Sequence, residues 1–199
     1  MDKYYWNKYY KSNYSPFKPS EFAKYVLKDI LSQTKIIDIG CGNGRDSLLF
    51  AKNLIYTTGV DQSSTVITSL KHYETDYLQF KNIDFTKMSS EKFDYGYCRF
   101  IFHSINENEE DLLLNWLALN ISNKIYIEAR IDIDSELYSE TNHYRRLMNL
   151  DKFKSKLKVH NLKIDYEEIS NKFSLYNENY NVQDIQFNPS LVRLIVSKK

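Results

Sequence analysis

Three of the five glycines in this chain of 199 residues lie within one five-residue stretch. Residues 36–46 read I-I-D-I-G-C-G-N-G-R-D, so that Gly40, Gly42 and Gly44 follow a β-branched run and precede a predicted helix. Glycine permits dihedral angles that other residues avoid and lets a ligand approach the main chain closely. Amide groups at such a helix start suit a negative or polar group. The pattern therefore predicts a nucleotide-like cofactor at the first strand-to-helix turn of an α/β sheet.

The spacing of the glycines and of two later acidic residues indicates which class of cofactor the turn would bind. G-x-G-x-G differs from the G-x-G-x-x-G of dinucleotide-binding folds and from the phosphate loop, and no lysine follows the glycines. A second predicted strand ends at Asp61, where a carboxylate can accept both hydroxyl protons of a ribose. A third ends at Asp84, which Phe85 follows. The alternative is a turn that needs glycine only for its shape, with both acids exposed.

Strand and helix patterns alternate along the chain. Ser20 is placed to cap a helix from Glu21 to about Leu31, whereas Pro16 and Pro19 argue against one continuous N-terminal helix. Further elements are predicted as strands over 35–40, 55–60, 77–83, 93–100, 124–130, 162–169 and 190–197 and as helices over 45–53, 63–73, 108–120 and 145–158. This alternation predicts an α/β fold, a mostly parallel sheet with helices on both faces.

Composition predicts a single globular domain over 1–199. Hydrophobic residues make up 42% of the chain and aromatic residues 15%, which excludes a disordered protein. A net charge of +1 gives no reason to expect nucleic-acid binding. Cys41 and Cys98 form neither a disulfide framework nor a metal motif, so we expect no metal. With no signal region and no apolar run near the ~20 residues of a membrane span, we expect a cytoplasmic protein without membrane insertion.

The glycines and the two acids together resemble class I S-adenosylmethionine-dependent methyltransferases, whose first motif is D-x-G-x-G-x-G. The resemblance implies S-adenosylmethionine as cofactor, S-adenosylhomocysteine as product, and a Rossmann-like seven-stranded sheet whose last strand, Leu191 to Ser197, is antiparallel. It implies that Asp61 holds the ribose, that Asp84 and Phe85 frame the adenine, and that amides around Gly40 to Gly42 line the methionine end. The residues predicted to bind the cofactor are Trp6, Asp38, Gly40, Cys41, Gly42, Arg45, Asp61, Gln62, Asp84, Phe85 and Arg99.

In this fold the methyl acceptor lies across the carboxyl ends of the fourth and fifth strands, where basic residues and histidines cluster. No [DNS]-P-P-[YFW] motif follows the fourth strand, which argues against methylation of amino groups on DNA bases. The guanidinium fork suits phosphate or carboxylate, so we predict a small anionic acceptor, with His103 or His143 as proton acceptor. The residues predicted to converge there are Arg99, His103, Glu128, Arg130, His143, Arg145 and Arg146.

Each member of this cluster also has a structural interpretation. In the first alternative, Arg99 only packs against the cofactor carboxylate or pairs with Asp38 and does not contact the acceptor. In the others His103 is a core histidine with its hydrogen bonds satisfied, His143 caps a helix, and one of the adjacent arginines at 145 and 146 faces solvent. These alternatives stay open from sequence.

The aromatic N-terminal segment, residues 1–20, is predicted to close as a lid over the bound cofactor, with residues 21–199 as the core. Trp6, Tyr9 and Tyr10 would supply apolar cover and exclude water. The alternative is a surface segment that only packs on the sheet.

Further motifs resemble a narrower bacterial subgroup linked to surface-polysaccharide modification, such as that of a capsule. They are W-x-x-Y-Y at 6–10, P-S-x-F-A at 19–23, D-I-G-C-G-N-G-R-D at 38–46, R-F-x-x-H at 99–103, E-A-R at 128–130 and H-Y-R-R at 143–146. This resemblance implies methylation of an oxygen on a phosphorylated or nucleotide-linked sugar or a phosphate-type group. The glycine loop also resembles tellurite-resistance methyltransferases. Two other functions stay open: an amine or chalcogen methyltransferase, and a non-catalytic partner protein that keeps the fold.

Overall fold

One seven-stranded sheet organises the computed structural model, which describes residues 3–12, 16, 18–131, 147–170 and 190–199. Its strands are β1 (Lys35–Ile39), β2 (Tyr56–Asp61), β3 (Leu78–Asn82), β4 (Phe93–Arg99), β5 (Ile121–Arg130), β6 (Leu162–Ser170) and β7 (Leu191–Lys198). Their spatial order is β3-β2-β1-β4-β5-β7-β6. The first five strands are parallel, and β7 is antiparallel to both β5 and β6. The predicted fold class and the antiparallel last strand are confirmed.

Helices cover both faces of this sheet. They are α1 (Lys3–Tyr9), α2 (Glu21–Leu27), α3 (Arg45–Lys52), α4 (Ser64–Leu70), α5 (Glu107–Asn120) and α6 (Leu150–Val159). On one face α5 and α6 bury Leu113, Leu117 and Phe153 against the central strands. On the other, Phe22 of α2 and Phe50 of α3 pack on Tyr97. Within the described parts of the chain, no helix is long and apolar enough to cross a bilayer.

Strand register brings the chemically interesting residues to one edge of the sheet. Asp38 of β1 lies beside Gly59 of β2 and Tyr97 of β4, and Arg99 lies beside Glu128 of β5. Because parallel strands end at a common edge, the turns that follow β1, β2, β4 and β5 all open there.

Several element boundaries differ from those predicted. The helix after Ser20 ends at Leu27, because the next residues form a turn from which the Asp29 carboxylate pairs with Lys124. β4 ends at Arg99, since the following residue has a positive φ of 61°. β5 begins at Ile121, directly after α5, because Ile121 pairs with β4 and is buried. Local pattern alone does not locate such ends.

A buried carboxylate joins the start of α2 to α3 and β4. Asp46 accepts hydrogen bonds from the Ser20 backbone amide at 2.7 Å, from Ser20 Oγ at 2.8 Å and from the Tyr97 hydroxyl at 2.9 Å. Ser20 Oγ also accepts from the Ala23 amide, so one hydroxyl caps α2 and pairs with the acid. The contact anchors the segment that leads from the N-terminal helix into the sheet.

Replacing Ser20 by alanine should therefore cost more than an ordinary helix cap. Loss of the cap accounts for about 1 kcal/mol, and a buried carboxylate left with fewer donors adds about 1–3 kcal/mol. Asn149→Ala is the matched control, because Asn149 caps α6 through an exposed hydrogen bond and contacts no buried acid. Urea unfolding midpoints of both variants measure the difference. Equal losses in the two variants would contradict the role given to Asp46.

Candidate functional site

The turn between β1 and α3 has a backbone that glycine adopts without strain. Gly40, Gly42 and Gly44 have φ values of 74°, 53° and 74°, in the left-handed region that disfavours side chains. At Gly42 a Cβ atom would also lie 2.5 Å from the hydroxyl oxygen of Tyr10. The shape of the turn is thus fixed, and the N-terminal segment lies directly against it.

The amides of this turn are engaged by the neighbouring strand. Those of Gly40 and Cys41 donate to the Val60 carbonyl oxygen at 2.8 and 3.0 Å, and that of Gly42 donates to Asp61 Oδ2 at 3.1 Å. Each of these N–H groups thus has an acceptor within the protein, and the prediction that this turn lines the methionine end of the cofactor stays a prediction. Burial raises the pKa of the Cys41 thiol well above its usual value. Cys41 is thus a small neutral side chain within the turn.

Asp61 connects the turn after β1 with the turn after β2. Its Oδ2 accepts from the Gly42 amide, and its Oδ1 accepts from the Ser63 amide at 2.8 Å. Burial raises the pKa of this carboxyl to about 6. The hydrogen bonds from the Ser63 and Gly42 amides have the opposite, smaller effect and lower the pKa. A carboxylate has about four acceptor positions, so both oxygens retain capacity for the hydroxyl groups of a ribose.

The side-chain amide of Gln62, next along the chain, is a second feature that suits a polar ligand. Its Nε2 atom is buried, and no atom of the described residues accepts a hydrogen bond from it. A buried donor without an acceptor costs about 1–3 kcal/mol, which a ligand acceptor would recover. The carboxylate of Asp61 and this donor together fit the polar groups of a nucleoside.

Asp84 and Phe85 lie just beyond β3, as predicted, with different environments. Asp84 Oδ1 accepts from the amide and the hydroxyl of Thr86, at 3.0 and 2.8 Å, and so caps a short 3₁₀ turn over Phe85–Lys87. The Phe85 ring packs in the hydrophobic core and is only 6% exposed. A role of these two residues at an adenine stays a prediction.

Asp38 and Arg45 lie on the two sides of the glycine turn, in β1 and at the start of α3. Ser47 Oγ donates to Asp38 Oδ2 at 2.6 Å, which ties β1 to α3. Burial raises the pKa of Asp38 to about 7, although the Ser47 hydrogen bond lowers it. Arg45 begins α3, with its Nε 3.8 Å from Asp46 Oδ1. Cofactor contacts of both residues stay predictions.

The N-terminal helix α1 lies over both turns. The Trp6 ring stacks on Tyr10 with centroids 5.8 Å apart, and Tyr10 in turn contacts Gly42. Asn7 Oδ1 accepts from Ser63 Oγ at 2.7 Å. This position is compatible with a lid, which stays a prediction.

Glu128 lies at the end of β5 between two arginines. It is 1% exposed and accepts from Arg99 Nε at 2.9 Å and from Arg193 Nε at 2.7 Å. Arg99 therefore forms its ion pair with Glu128 rather than with Asp38. Sequence reasoning missed Arg193 on β7, although a charge inside the apolar run L-V-R-L-I-V was a usable signal.

Phe100, which sequence reasoning also missed, lies at the centre of the remaining cluster. The guanidinium carbons of Arg99 and Arg130 lie 4.1 and 5.5 Å from its ring centre. His103 is 4% exposed, and its Nδ1 accepts a long hydrogen bond of 3.4 Å from the Arg130 amide. This bond favours the neutral tautomer with its proton on Nε2. His103 thus presents a donor in this arrangement, and its role as proton acceptor stays a prediction.

The structure brings four of the seven predicted acceptor-site residues together: Arg99, His103, Glu128 and Arg130. The other three, His143, Arg145 and Arg146, lie outside the described residues.

Solved structures with the same fold act on chemically different substrates. No curated protein sequence matches the chain. 1,6-Didemethyltoxoflavin-N1-methyltransferase from Burkholderia thailandensis, with bound S-adenosylhomocysteine, has a TM-score of 0.69 and 13% identity over 89% of this chain and 76% of that one. A TehB-like S-adenosylmethionine-dependent methyltransferase from Corynebacterium glutamicum has a TM-score of 0.65 and 16% identity over 90% of this chain and 88% of that one. Geranyl diphosphate C-methyltransferase from Streptomyces coelicolor has a TM-score of 0.70 and 8% identity over 89% and 79%.

A family model described as a methyltransferase domain matches residues 30–186. That range includes the glycine turn, both strand-end acids and the cluster around Phe100. The protein therefore belongs to the methyltransferase domain family and has the fold of S-adenosylmethionine-dependent methyltransferases.

Proposed function

We propose that this methyltransferase transfers the methyl group of S-adenosylmethionine to an oxygen atom of a small anionic acceptor. The observation that carries the proposal is the pair of guanidinium groups, Arg99 and Arg130, against Phe100 where β4 and β5 end. Guanidinium groups bind phosphate and carboxylate through paired, charge-assisted hydrogen bonds. A positive acceptor region beside the cofactor turns favours an anionic substrate over a neutral one.

The residues at the ends of β1, β2 and β3 suit the cofactor. Asp61 accepts the ribose hydroxyls through positions that the Gly42 and Ser63 amides leave open. Gln62 Nε2 supplies a buried donor. S-adenosylmethionine supplies a methyl group on a positively charged sulfur, which makes the methyl carbon electrophilic. Contacts from Trp6 and Asp84 belong to the same proposal.

The protein's own contribution to methyl transfer is to position the acceptor and exclude water. Arg99 and Arg130 hold the anionic group, and His103 lies beside Phe100 with its Nδ1 hydrogen-bonded to the Arg130 amide, so it would act as a base only through an unprotonated Nε2. His103 and His143 remain the candidates for removing the hydroxyl proton, since histidine titrates near neutral pH. The aromatic helix α1 covers the cofactor side.

The acceptor class we propose is a phosphorylated or nucleotide-linked sugar, or a phosphate-type group, used in bacterial surface-polysaccharide biosynthesis in the cytoplasm. The motifs from W-x-x-Y-Y to H-Y-R-R support this class. The relative crystallised with geranyl diphosphate supports the capacity of this fold for an anionic substrate. The N1-methyltransferase keeps an amine-type acceptor as one alternative. The resemblance of the glycine loop to tellurite-resistance methyltransferases keeps a chalcogen acceptor as the other.

Methyl transfer from S-adenosylmethionine carrying a labelled methyl group tests the proposal directly. The full chain is incubated with separate panels of nucleotide sugars, sugar phosphates, neutral sugars, amines and tellurite. We expect label to appear on an oxygen of a phosphate-bearing acceptor. Label on amines or volatile tellurium species alone would instead establish the alternative, and binding of S-adenosylhomocysteine without turnover of any panel would favour a non-catalytic partner protein.

Asp61→Asn should weaken S-adenosylhomocysteine binding at least tenfold. The carboxylate makes two charge-assisted hydrogen bonds to ribose, each worth roughly 1.5–3 kcal/mol, and an amide replaces one acceptor by a donor. Asp94→Asn is the matched control, because Asp94 accepts from the Lys35 amide at 2.8 Å at the opposite edge of the sheet. Calorimetric titration of both folded variants measures the effect, and equal affinities would refute the assignment of Asp61.

Tyr10→Ala should loosen the proposed lid. The change removes the hydroxyl that contacts Gly42 and the ring that stacks on Trp6, contacts worth about 0.5–1.5 kcal/mol for an aromatic pair. Affinity for S-adenosylhomocysteine should fall several-fold while the melting temperature changes little. Tyr4→Ala is the control, since Tyr4 is 82% exposed on the same helix. If Tyr10→Ala binds like Tyr4→Ala, α1 is only a surface segment.

Arg130→Ala should lower kcat/KM for the identified acceptor, because the bound anion loses one charge-assisted partner. The loss of transition-state stabilisation calculated from the two kcat/KM values should be about 1–3 kcal/mol. The affinity of this variant for S-adenosylhomocysteine should equal that of the original protein. Lys124→Ala, near the other end of β5 in an exposed pair with Asp29, is the control. Steady-state kinetics of both variants distinguish the two positions, and unchanged kcat/KM in Arg130→Ala would place the acceptor elsewhere.

A further inference from the structure

The carboxyl group of Asp38 is buried beside the glycine turn with a single side-chain donor. Asp38 is 3% exposed, and Ser47 Oγ donates to its Oδ2 at 2.6 Å. Among the residues that the structure describes, no group donates to the other oxygen, Oδ1. Buried carboxylates are normally paired or hydrogen-bonded, because donors offset the lost hydration. Oδ1 therefore has the capacity to accept a donor or a cation from a ligand at the turn.

Ser47 reaches Asp38 because the neighbouring strand leaves room for its hydroxyl. Asp38 lies beside Gly59 of β2, and a Cβ atom on Gly59 would lie 3.0 Å from Ser47 Oγ. Gly59 lacks the positive φ of the turn glycines, so its role here is to provide space. Ser47 itself is fully buried in α3. The hydroxyl is thus held between α3 and β1, with the Asp38 carboxyl as its acceptor.

Most of the surroundings of Asp38 disfavour its ionised form. Burial raises the pKa of Asp38 to about 7, and the carboxylates of Asp46 and Asp61 add to this effect. The Ser47 hydrogen bond and, to a smaller extent, the positive charge of Arg99 lower the pKa. Burial also raises the pKa of the other titratable groups that face Asp38, which are therefore neutral: Cys41, Tyr97 and Cys98. The Ser47 hydroxyl is thus the stronger of the two groups that favour the carboxylate.

We propose that Ser47 is a positioning residue for the cofactor, whose hydroxyl keeps Asp38 ionised and oriented so that Oδ1 accepts the ammonium group of S-adenosylmethionine. This inference rests on the proposed function and adds to it the residue that sets the charge of Asp38. Ser47 acts on the cofactor only through Asp38. S-adenosylhomocysteine has the same ammonium group and lacks the charge on sulfur, so its binding isolates this contact.

The pH dependence of S-adenosylhomocysteine binding to the full chain tests this role. Ser47→Ala removes the donor with little change of volume. Because the lost hydrogen bond lowers the pKa of Asp38 in the original chain, the pKa should rise, and binding should weaken at a higher pH as the pH falls. Calorimetric titrations between about pH 5.5 and 8.5 should show the midpoint shifted upward by about one unit or more. Binding at neutral pH should be about fivefold weaker or more, and the two affinities should converge as the pH rises.

Proton release on binding is a second readout, which packing alone would not change. When the ammonium group binds ionised Asp38, the carboxyl releases the proton that it holds in part of the unbound molecules. Titrations in buffers of different ionisation enthalpy count the protons released. Ser47→Ala should release more protons at neutral pH than the original chain, and Asp38→Asn should release fewer. Asp61, whose pKa burial raises to about 6, contributes a similar background in each protein.

Two further variants separate positioning from packing. Ser47→Ala combined with Asp38→Asn should bind S-adenosylhomocysteine within about twofold of Asp38→Asn alone, because Ser47 acts only through the carboxylate. Ser69→Ala is the matched control, since the Ser69 hydroxyl donates at 2.7 Å to the Val66 carbonyl oxygen rather than to an acid. The pH dependence of its binding should equal that of the original chain.

An unchanged pH midpoint and unchanged proton release in Ser47→Ala would overturn the inference while the proposed function stands. The same holds if Ser47→Ala weakens binding by an equal factor with Asp38 and with asparagine at that position, because Ser47 would then act by packing. If the original chain does not bind S-adenosylhomocysteine, both the inference and the proposed function are overturned.

Discussion

The carboxylate of Asp61 holds together the two turns on which the candidate cofactor site is built. It accepts the Gly42 amide from the turn after β1 and the Ser63 amide from the turn after β2. Ser63 extends the connection to Asn7 in the N-terminal helix. One side chain thus fixes the glycine turn, the start of α4 and the cover above them. The hydrogen bonds of Asp61 thus form this surface of the protein without any bound ligand.

A layer of further buried polar contacts joins other elements of the fold to the sheet. Ser47 holds Asp38, Asp46 joins Ser20 to Tyr97, and Glu128 lies between two arginines. Buried carboxylates persist only where donors surround them, because desolvation opposes their charge. The layer therefore specifies how α2, α3, β4 and β5 meet. Arg99, one of the two arginines paired with Glu128, also lies against the Phe100 ring.

Sequence reasoning predicts the features that depend on local pattern. The β-branched run before Gly40 indicates β1, the spacing of the glycines indicates a ligand-binding turn, and acids at Asp61 and Asp84 follow two predicted strands. These signals lie within short windows, where propensity and periodicity act. The parallel sheet then follows from the alternation of elements.

Features that depend on register between distant segments are not predictable in this way. Arg193 meets Glu128 across 65 residues of sequence, and only the pairing of β5 with β7 places them together. The engaged amides of Gly40 and Cys41 require the position of Val60 on the neighbouring strand. The positive φ of Phe100 has no signature in residue type, since aromatic residues rarely adopt it. Tertiary contacts decide all three.

A crystal structure of the full chain with S-adenosylhomocysteine tests the central claim most directly. The account predicts ribose hydroxyls within hydrogen-bond distance of both Asp61 oxygens and a sulfur atom that faces the region around Phe100 and Arg130. Density for the ligand at another edge of the sheet, or a sulfur atom directed away from the ends of β4 and β5, would contradict it.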